Sequence, residues 1–325
     1  PLEKYPPIIN LLDYLTSIKY AKNVTVFTTE NLKNNNSYVY SNPNVNIIRL
    51  KSPSKTKNYK KLLQYFHLYA SIFCKLLQLK PTSILYYETL SVLPAYWYKR
   101  INTGCKIFIH YHEYTSPSEY SVNSIVVKQL HNIKKKIYKY CYWISHTNSK
   151  RLFLFLYDEQ INIDSNKHHI MPNYPSINWA KNEHSLEQIR DVKNMSFVYF
   201  GALGLHTMYI KEFANFVIRQ AGKVNWHIYT NQFEAETIDY INNLQSDYIK
   251  ICGEANYYDI PRIIKENKYT VGLILYKGHI QNYVHNAPNK LFEYLSCGIH
   301  VWYPSVLEGC KEYSRNTSFP LVLEV

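Results

Sequence analysis

The sequence predicts an α/β protein made of two doubly wound, parallel-sheet domains. Three observations lead there. Short β-branched runs alternate with longer helical stretches, the pattern of parallel strand–helix–strand units. That alternation breaks once, in a polar stretch around residue 185, and then restarts. The chain's 325 residues also exceed what one hydrophobic core usually serves, so two domains are expected. The boundaries drawn are 1–185 and 186–325, each half Rossmann-like, with the two facing a central cleft. In open parallel sheets ligands bind outside the carboxyl ends of the strands, which makes that cleft the expected site.

In chain order, PPIINLLDYLTSI reads as a helix, and NVTVFTT and NVNIIRL as strands. NYKKLLQYFHLYASIFCKLLQL is a long amphipathic helix that Pro81 stops. SILYY, KIFIHYH and YWISHT are buried strands between helical runs. A doubly wound domain normally opens on a strand, so this helical start predicts that the first strand of the N-terminal domain is missing. NYPSINWAKNEHSLEQIRDVKNM, polar at its centre, is a linker. The second half then gives SFVYF, NWHIYT, YIKICG, YTVGLILY and HVWYP as strands. YIKEFANFVIRQA, TIDYINNLQ, YDIPRIIKEN and APNKLFEYLSCG are the helices between them.

Composition narrows the classes. A hydrophobic content of 46% excludes wholesale disorder. Cys74, Cys105, Cys141, Cys252, Cys297 and Cys310 form no C-x-x-C pair and no metal-type spacing, so no metal site is expected. Scattered free cysteines, no apolar run of membrane-span length and no signal peptide fit a reducing cytoplasm. The net charge of +13 draws anionic partners, whether nucleic acid, membrane or phosphorylated substrate. Its densest cluster is Lys128, Lys134, Lys135, Lys136 and Lys139, interleaved with Ile133, Ile137, Trp143 and tyrosines. Two readings stay open for that helix, a solvated face or one lying on an anionic membrane surface.

NAPNKLFEYLSCGIHVWYP, residues 286–304, is the most informative segment. Asn286 is placed to cap a helix with Pro288 in its first turn, and Gly298 suits its C-terminal stop. Leu291, Phe292 and Leu295 make an apolar stripe, with Asn289 and Glu293 on the opposite face. A helix N-terminus after a strand offers free N–H groups and a positive dipole end to a diphosphate. Lys290 in that first turn is slightly unfavourable to an isolated helix and makes sense beside a bound anion. Glu293, one turn on, can accept hydrogen bonds from two ribose hydroxyls. The same residues also fit an ordinary amphipathic helix with Asn289, Lys290 and Glu293 in water.

PNKLFEYLSCG resembles the donor-site signature of GT-B glycosyltransferases, especially those similar to glycosyltransferase family 4. The resemblance implies Glu293 for the ribose of a nucleotide-sugar donor and Asn289 and Lys290 near its phosphates. His285 stands where such enzymes often carry a second glutamate, which breaks the paired pattern and puts the sugar contacts in doubt. FVYFGALGLH resembles the first strand and glycine turn of a GT-B C-terminal domain, placing Gly201 and Ala202 at the diphosphate. The basic residues often found just after that turn have only His206 and Lys211 as candidates. VGLILYKGHIQNYVHN resembles the strand and loop before the signature helix, with Tyr276, Lys277 and Gly278 near the donor. HIMPNYP is similar to the motif that ends the N-terminal domain, with both a structural and a functional role open for Asn173.

In the N-terminal half, KIFIHYHEYTSP brings His110, His112 and Glu113 to a strand end. Alternation sets both histidines on one face, so only one need emerge. The stretch resembles the strand-end H-E of such transferases, and LYYETLSVLPA their H-D-x-x-x-L-P-A stretch, with Glu88 where Asp is usual. The implied role of His112 is to hydrogen-bond the reacting sugar or take a proton, and Glu113 joins it as a catalytic candidate. A buried histidine satisfied by backbone is the plain alternative. The function expected is sugar transfer to a lipid-linked or polysaccharide acceptor in bacterial surface glycan assembly, such as capsule or lipopolysaccharide. No cofactor, no required metal and no nucleic-acid partner are expected, and the enzyme is cytoplasmic or peripheral on the membrane. The rival readings are a non-hydrolysing nucleotide-sugar epimerase, a basic nucleic-acid-binding protein, and a degenerate, non-catalytic relative.

Overall fold

The computed structural model describes residues 2, 5–18, 23–30, 40, 42–53, 59–180, 195–315 and 319–325. Internal contacts divide the chain into two units, Pro1–Pro172 and Asn173–Val325. The expected seam near residue 185 lies outside the described residues.

The first unit runs α1 Pro6–Ser17, β1 Val24–Thr29, β2 Val45–Leu50, α2 Tyr59–Leu79, β3 Ser83–Tyr87, α3 Val92–Ile101, β4 Lys106–Tyr111, α4 Pro117–Val122, α5 Ile125–Ile137, β5 Cys141–His146, α6 Ser149–Glu159 and β6 His168–Ile170. Its helix starts follow local chemistry. Two prolines open α1, Ser116 and Glu119 close a reciprocal capping box on α4, and the Asn148 side chain accepts the Arg151 N–H to cap α6. β1 and β2 pair in parallel, and β3-β4-β5-β6 form a second parallel sheet. Val92, Ile107, Ile109, Ile137 and Ile144 are wholly buried where α3 and α5 cover that sheet.

The second unit runs α7 Ile177–Ala180, β7 Met195–Phe200, α8 Ile210–Arg219, β8 Val224–Tyr229, α9 Ala235–Asn243, β9 Ile249–Gly253, α10 Ile260–Glu266, β10 Val271–Leu273, α11 Gln281–Val284, α12 Asn289–Ser296, β11 His300–Tyr303, α13 Lys311–Ser314 and β12 Val322–Glu324. Its six strands are parallel in the order β12-β11-β10-β7-β8-β9. Successive strands therefore step one way from β7 and the other way from β10. The loops leaving those two adjacent strands diverge, and the crevice between them is where this topology accepts a ligand. Phe197, Val198 and Tyr199 of β7 are wholly buried, as a central strand covered on both faces requires.

Every strand read from the sequence is present, though YTVGLILY supplies only the three residues of β10. The short β6 and β12 were not foreseen; each adds three residues to a sheet edge, too few for an alternation to show. Within the polar linker, α7 carries Trp179 into the core against Tyr257, so its first part is packed structure. The basic helix needs a correction. Lys134 is only 1% exposed, ion-paired to Glu159 at 2.8 Å and bonded to the Tyr120 hydroxyl at 2.9 Å. It serves neither a solvated face nor a membrane, because a buried ammonium needs its counter-charge. Lys128, Lys135, Lys136 and Lys139 remain exposed.

Candidate functional site

The crevice of the second unit gathers most of the residues singled out for the donor. Its floor is set by a close approach: a Cβ on Gly272 would lie 2.2 Å from the Tyr294 ring. Glycine in β10 thus lets α12 settle onto the sheet, and the Tyr294 hydroxyl accepts the Phe200 N–H at 3.2 Å. These contacts fix the α12 N-terminus beside the turn that follows β7.

That N-terminus is open. Pro288, not Asn286, is the N-cap, with extended backbone and no side-chain hydrogen bond, and the helix begins at Asn289. Ala287 precedes a proline, which disfavours helical geometry there and moves the start past the expected cap. The first-turn N–H groups consequently meet no capping side chain and face the crevice with the positive end of the helix dipole. Asn289 is half-buried at the mouth.

Lys290 reaches across to the β7 turn. Its Nζ donates to the Tyr276 hydroxyl at 3.3 Å and lies over the Tyr199 and Tyr276 rings, 5.2 and 5.7 Å from their centroids. Gly201 has φ +129°, and a Cβ there would fall 2.8 Å from Lys290 Nζ. The dihedral favours glycine, and a side chain there would have to push the Lys290 ammonium aside. Ala202 is exposed, and its carbonyl accepts the Tyr199 hydroxyl at 2.7 Å.

Glu293 sits one turn further in and is 7% exposed, so it does not lie in water on a polar face. Among the described residues its carboxylate has no hydrogen bond or ion pair. Burial pushes its pKa up to about 7, against the pull of the nearby Lys290 charge. Hydroxyls of a bound ligand are the partners its chemistry asks for.

Other predicted residues are engaged elsewhere. Lys277 lies beyond β10, but its ammonium is 3.4 Å from Glu212 and over the Tyr209 ring. His206 pairs with Glu236 at 2.8 Å at the surface, and the Lys211 ammonium lies over the Tyr240 ring. His285 is buried and holds Gln281 through Nε2 at 2.9 Å. Asn173 is 3% exposed at the start of this unit.

In the first unit, the end of β4 separates the two histidines. His110 is 1% exposed and bonded to Ser145 at 2.8 Å, and burial lowers its pKa to about 3. It is a core residue. His112 lies just past the strand, half-buried, its ring stacked on Tyr87. Glu113 beside it is exposed. The peptide between them is held from both sides: Glu88 Oε1 accepts the N–H groups of His112 and Glu113 at 2.6 and 2.9 Å, and Arg151 donates to the His112 carbonyl at 2.9 Å. Glu88 does this from φ +67°, ψ 159°, a region kept almost to glycine and costing about 1–3 kcal/mol. Burial pushes its pKa up to about 7, against the two N–H bonds that favour the charged form. Arg151 gave no sequence signal, since it comes from α6, remote in the chain. Of the two tyrosines around Lys290, Tyr276 was placed near the donor by resemblance, whereas Tyr199 gave no signal, being hidden among 33.

No family model matches the sequence, and no curated protein matches it. Solved structures do. The apo form of a lipopolysaccharide outer core galactosyltransferase, WaaB, is 15% identical, with 86% of this chain and 71% of that one covered at a TM-score of 0.57. A trehalose-6-phosphate protein from E. coli bound with UDP-2-fluoro glucose is 11% identical, with 98% and 84% covered and a TM-score of 0.65. HepE of Anabaena, in complex with UDP and glucose, is 14% identical, with 86% and 72% covered and a TM-score of 0.57. The chain has the GT-B fold. In a GT-B chain the second unit's strand order and the crevice between β7 and β10 belong to the C-terminal Rossmann-like domain. Among the described residues, no helix is long and apolar enough to cross a membrane.

Proposed function

We propose that this chain is a glycosyltransferase that takes a sugar from a nucleotide-sugar donor bound in its C-terminal unit. The observation that carries the reading is Glu293, a buried carboxylate with no partner among the described residues, one turn inside a helix N-terminus that has no side-chain cap. A nucleoside diphosphate answers both features: ribose hydroxyls donate to Glu293, and the diphosphate takes the helix N–H groups, the Gly201 turn and the Lys290 charge. The likeness to structures holding UDP-2-fluoro glucose or UDP with glucose supports a UDP-sugar as the donor to try first.

In this reading the diphosphate leaves against the helix dipole and Lys290, so no divalent metal is required. His112 serves the reacting sugar, as hydrogen-bond donor or proton acceptor, with Glu113 beside it on the acceptor side. The acceptor is a glycan or a lipid-linked sugar of a bacterial surface polysaccharide, a reading supported by the likeness to a lipopolysaccharide galactosyltransferase. The enzyme works in the cytoplasm at an anionic membrane surface, reached through exposed Lys128, Lys135, Lys136 and Lys139 of the α5 region, next to Val122 and Ile125, which are 86% and 77% exposed.

Thermal shift with UDP-, GDP-, ADP- and CMP-sugars, run with and without EDTA, tests the donor site. Stabilisation by one nucleotide family, kept in EDTA and lost in Glu293→Ala, is the expected result. A folded wild type that none of them stabilises overturns the reading. Donor turnover with no acceptor present to an epimeric nucleotide-sugar would replace it with the epimerase. Salt-sensitive pelleting with phosphatidylglycerol vesicles tests the membrane surface.

A further inference from the structure

We infer that Glu88 is a positioning residue for the transfer reaction: its carboxylate, carried on a backbone that favours glycine, fixes the His112–Glu113 peptide at the end of β4. The inference rests on the transferase reading and assigns Glu88 no contact with the sugar.

The geometry has three parts. First, the Glu88 backbone is pinned at both ends of the residue. Its N–H donates to the His110 carbonyl at 3.1 Å, and its carbonyl accepts from the Ser91 N–H at 3.1 Å and the Ser91 hydroxyl at 2.9 Å. The residue is therefore held at φ +67° rather than resting there. Second, a single oxygen of its side chain binds two consecutive N–H groups, which sets the orientation of the peptide as well as its position. Glu113 is exposed, so water could satisfy its N–H, and the carboxylate is needed there for geometry rather than for want of a partner. Third, Arg151, itself 2% exposed, grips the carbonyl of the same segment and the Thr147 hydroxyl. The His112 backbone is thus clamped between a carboxylate and a guanidinium that come from two different parts of the chain.

A strained, non-glycine residue at such a place needs a reason in its side chain. Glycine at position 88 would relieve the dihedral and lose the clamp. The charged and titratable groups around the carboxylate are Glu113 and Lys134, with Tyr5, Tyr86 and Tyr87 beside them.

The test compares wild type, Glu88→Gly and Glu88→Gln, using the nucleotide-sugar that stabilises the wild type and following its turnover, with water as acceptor if no better one is known. Glu88→Gly should melt no lower than wild type, keep KM for the donor within about twofold, and lose kcat by on the order of 100-fold. Glu88→Gln keeps an oxygen that accepts both N–H groups, and should restore kcat to within about fivefold of wild type. Amide exchange, measured without substrate, should be slow at His112 and Glu113 in wild type and Glu88→Gln and fast in Glu88→Gly. A Glu88→Gly enzyme with near-wild-type kcat overturns the inference. So does a Glu88→Gln enzyme as slow as Glu88→Gly, which would make the charge rather than the clamp the active feature. If wild type turns over no nucleotide-sugar, the transferase reading falls; unchanged amide exchange in Glu88→Gly brings down the clamp whatever the activity.

Discussion

Two glutamates, one in each unit, end up under the same electrostatic pressure and in opposite situations. Burial pushes the carboxyl groups of Glu88 and Glu293 up to about 7 alike. Glu88 turns inward and binds two backbone N–H groups of its own unit. Glu293 has no protein partner among the described residues and lies beside an open helix N-terminus. The difference teaches what a perturbed carboxylate means. Where the protein supplies the partners, the group shapes the fold around a site; where it leaves them to be supplied, the group is the site.

The contrast is sharpest at Glu293. Two hydrogen bonds to a charged acceptor are together worth about 3 kcal/mol or more, so Glu293→Ala should weaken donor binding by about 100-fold. Titration calorimetry with the stabilising nucleotide-sugar checks this, and a loss under threefold breaks the comparison. Lys290→Met should cost about 10-fold in the same experiment. It should also flatten the salt dependence of binding, because it removes the one full charge contributed by the first turn of α12.

Gly201→Ala attacks the other wall of the crevice. Its dihedral and its contact with Lys290 both oppose a side chain, so a stability loss of about 1–3 kcal/mol is expected in urea unfolding. Adding Lys290→Ala should recover only part of this, since the dihedral remains. Full recovery would assign the whole effect to the lysine.

The smallest test is a pH series on unliganded protein. The folded pKa of Glu293 lies above its unfolded value, so between pH 4.5 and about 7 the folded state holds a proton the unfolded chain has released. Stability from this group is present below that window and lost as pH rises through it. Glu293→Gln should therefore gain up to about 2–3 kcal/mol over wild type at pH 8 and nothing near pH 4. An equal difference at both pH values would mean that the carboxylate is not buried in solution.

The legible parts of the molecule were those written in local pattern. The α/β rhythm and the glycine turn after β7 come from periodicity and from residues with special backbone, whereas the burial of Glu293 did not show in the helical period. The capping residue of α12 was misread because Asn286 is the better cap by side chain, whereas Pro288 decides by backbone. Lys134 looked like its neighbours, since a helical lysine run does not show that Glu159 of another helix will meet one of them. His110 and His112 share a face by alternation, yet one is core and the other lies past the strand end, a distinction of two residues in where β4 stops.

The sequence by itself determined the secondary structure, the two-unit organisation and the α12 segment, because period, glycine, proline and helix-end chemistry act over a few residues. Only the tertiary structure decided that Lys290 lies over Gly201, that Glu293 has no partner among the described residues and that Glu88 holds the His112 turn. Those facts depend on which elements meet and how deeply each carboxylate is desolvated, and both are set by packing between residues far apart in the chain.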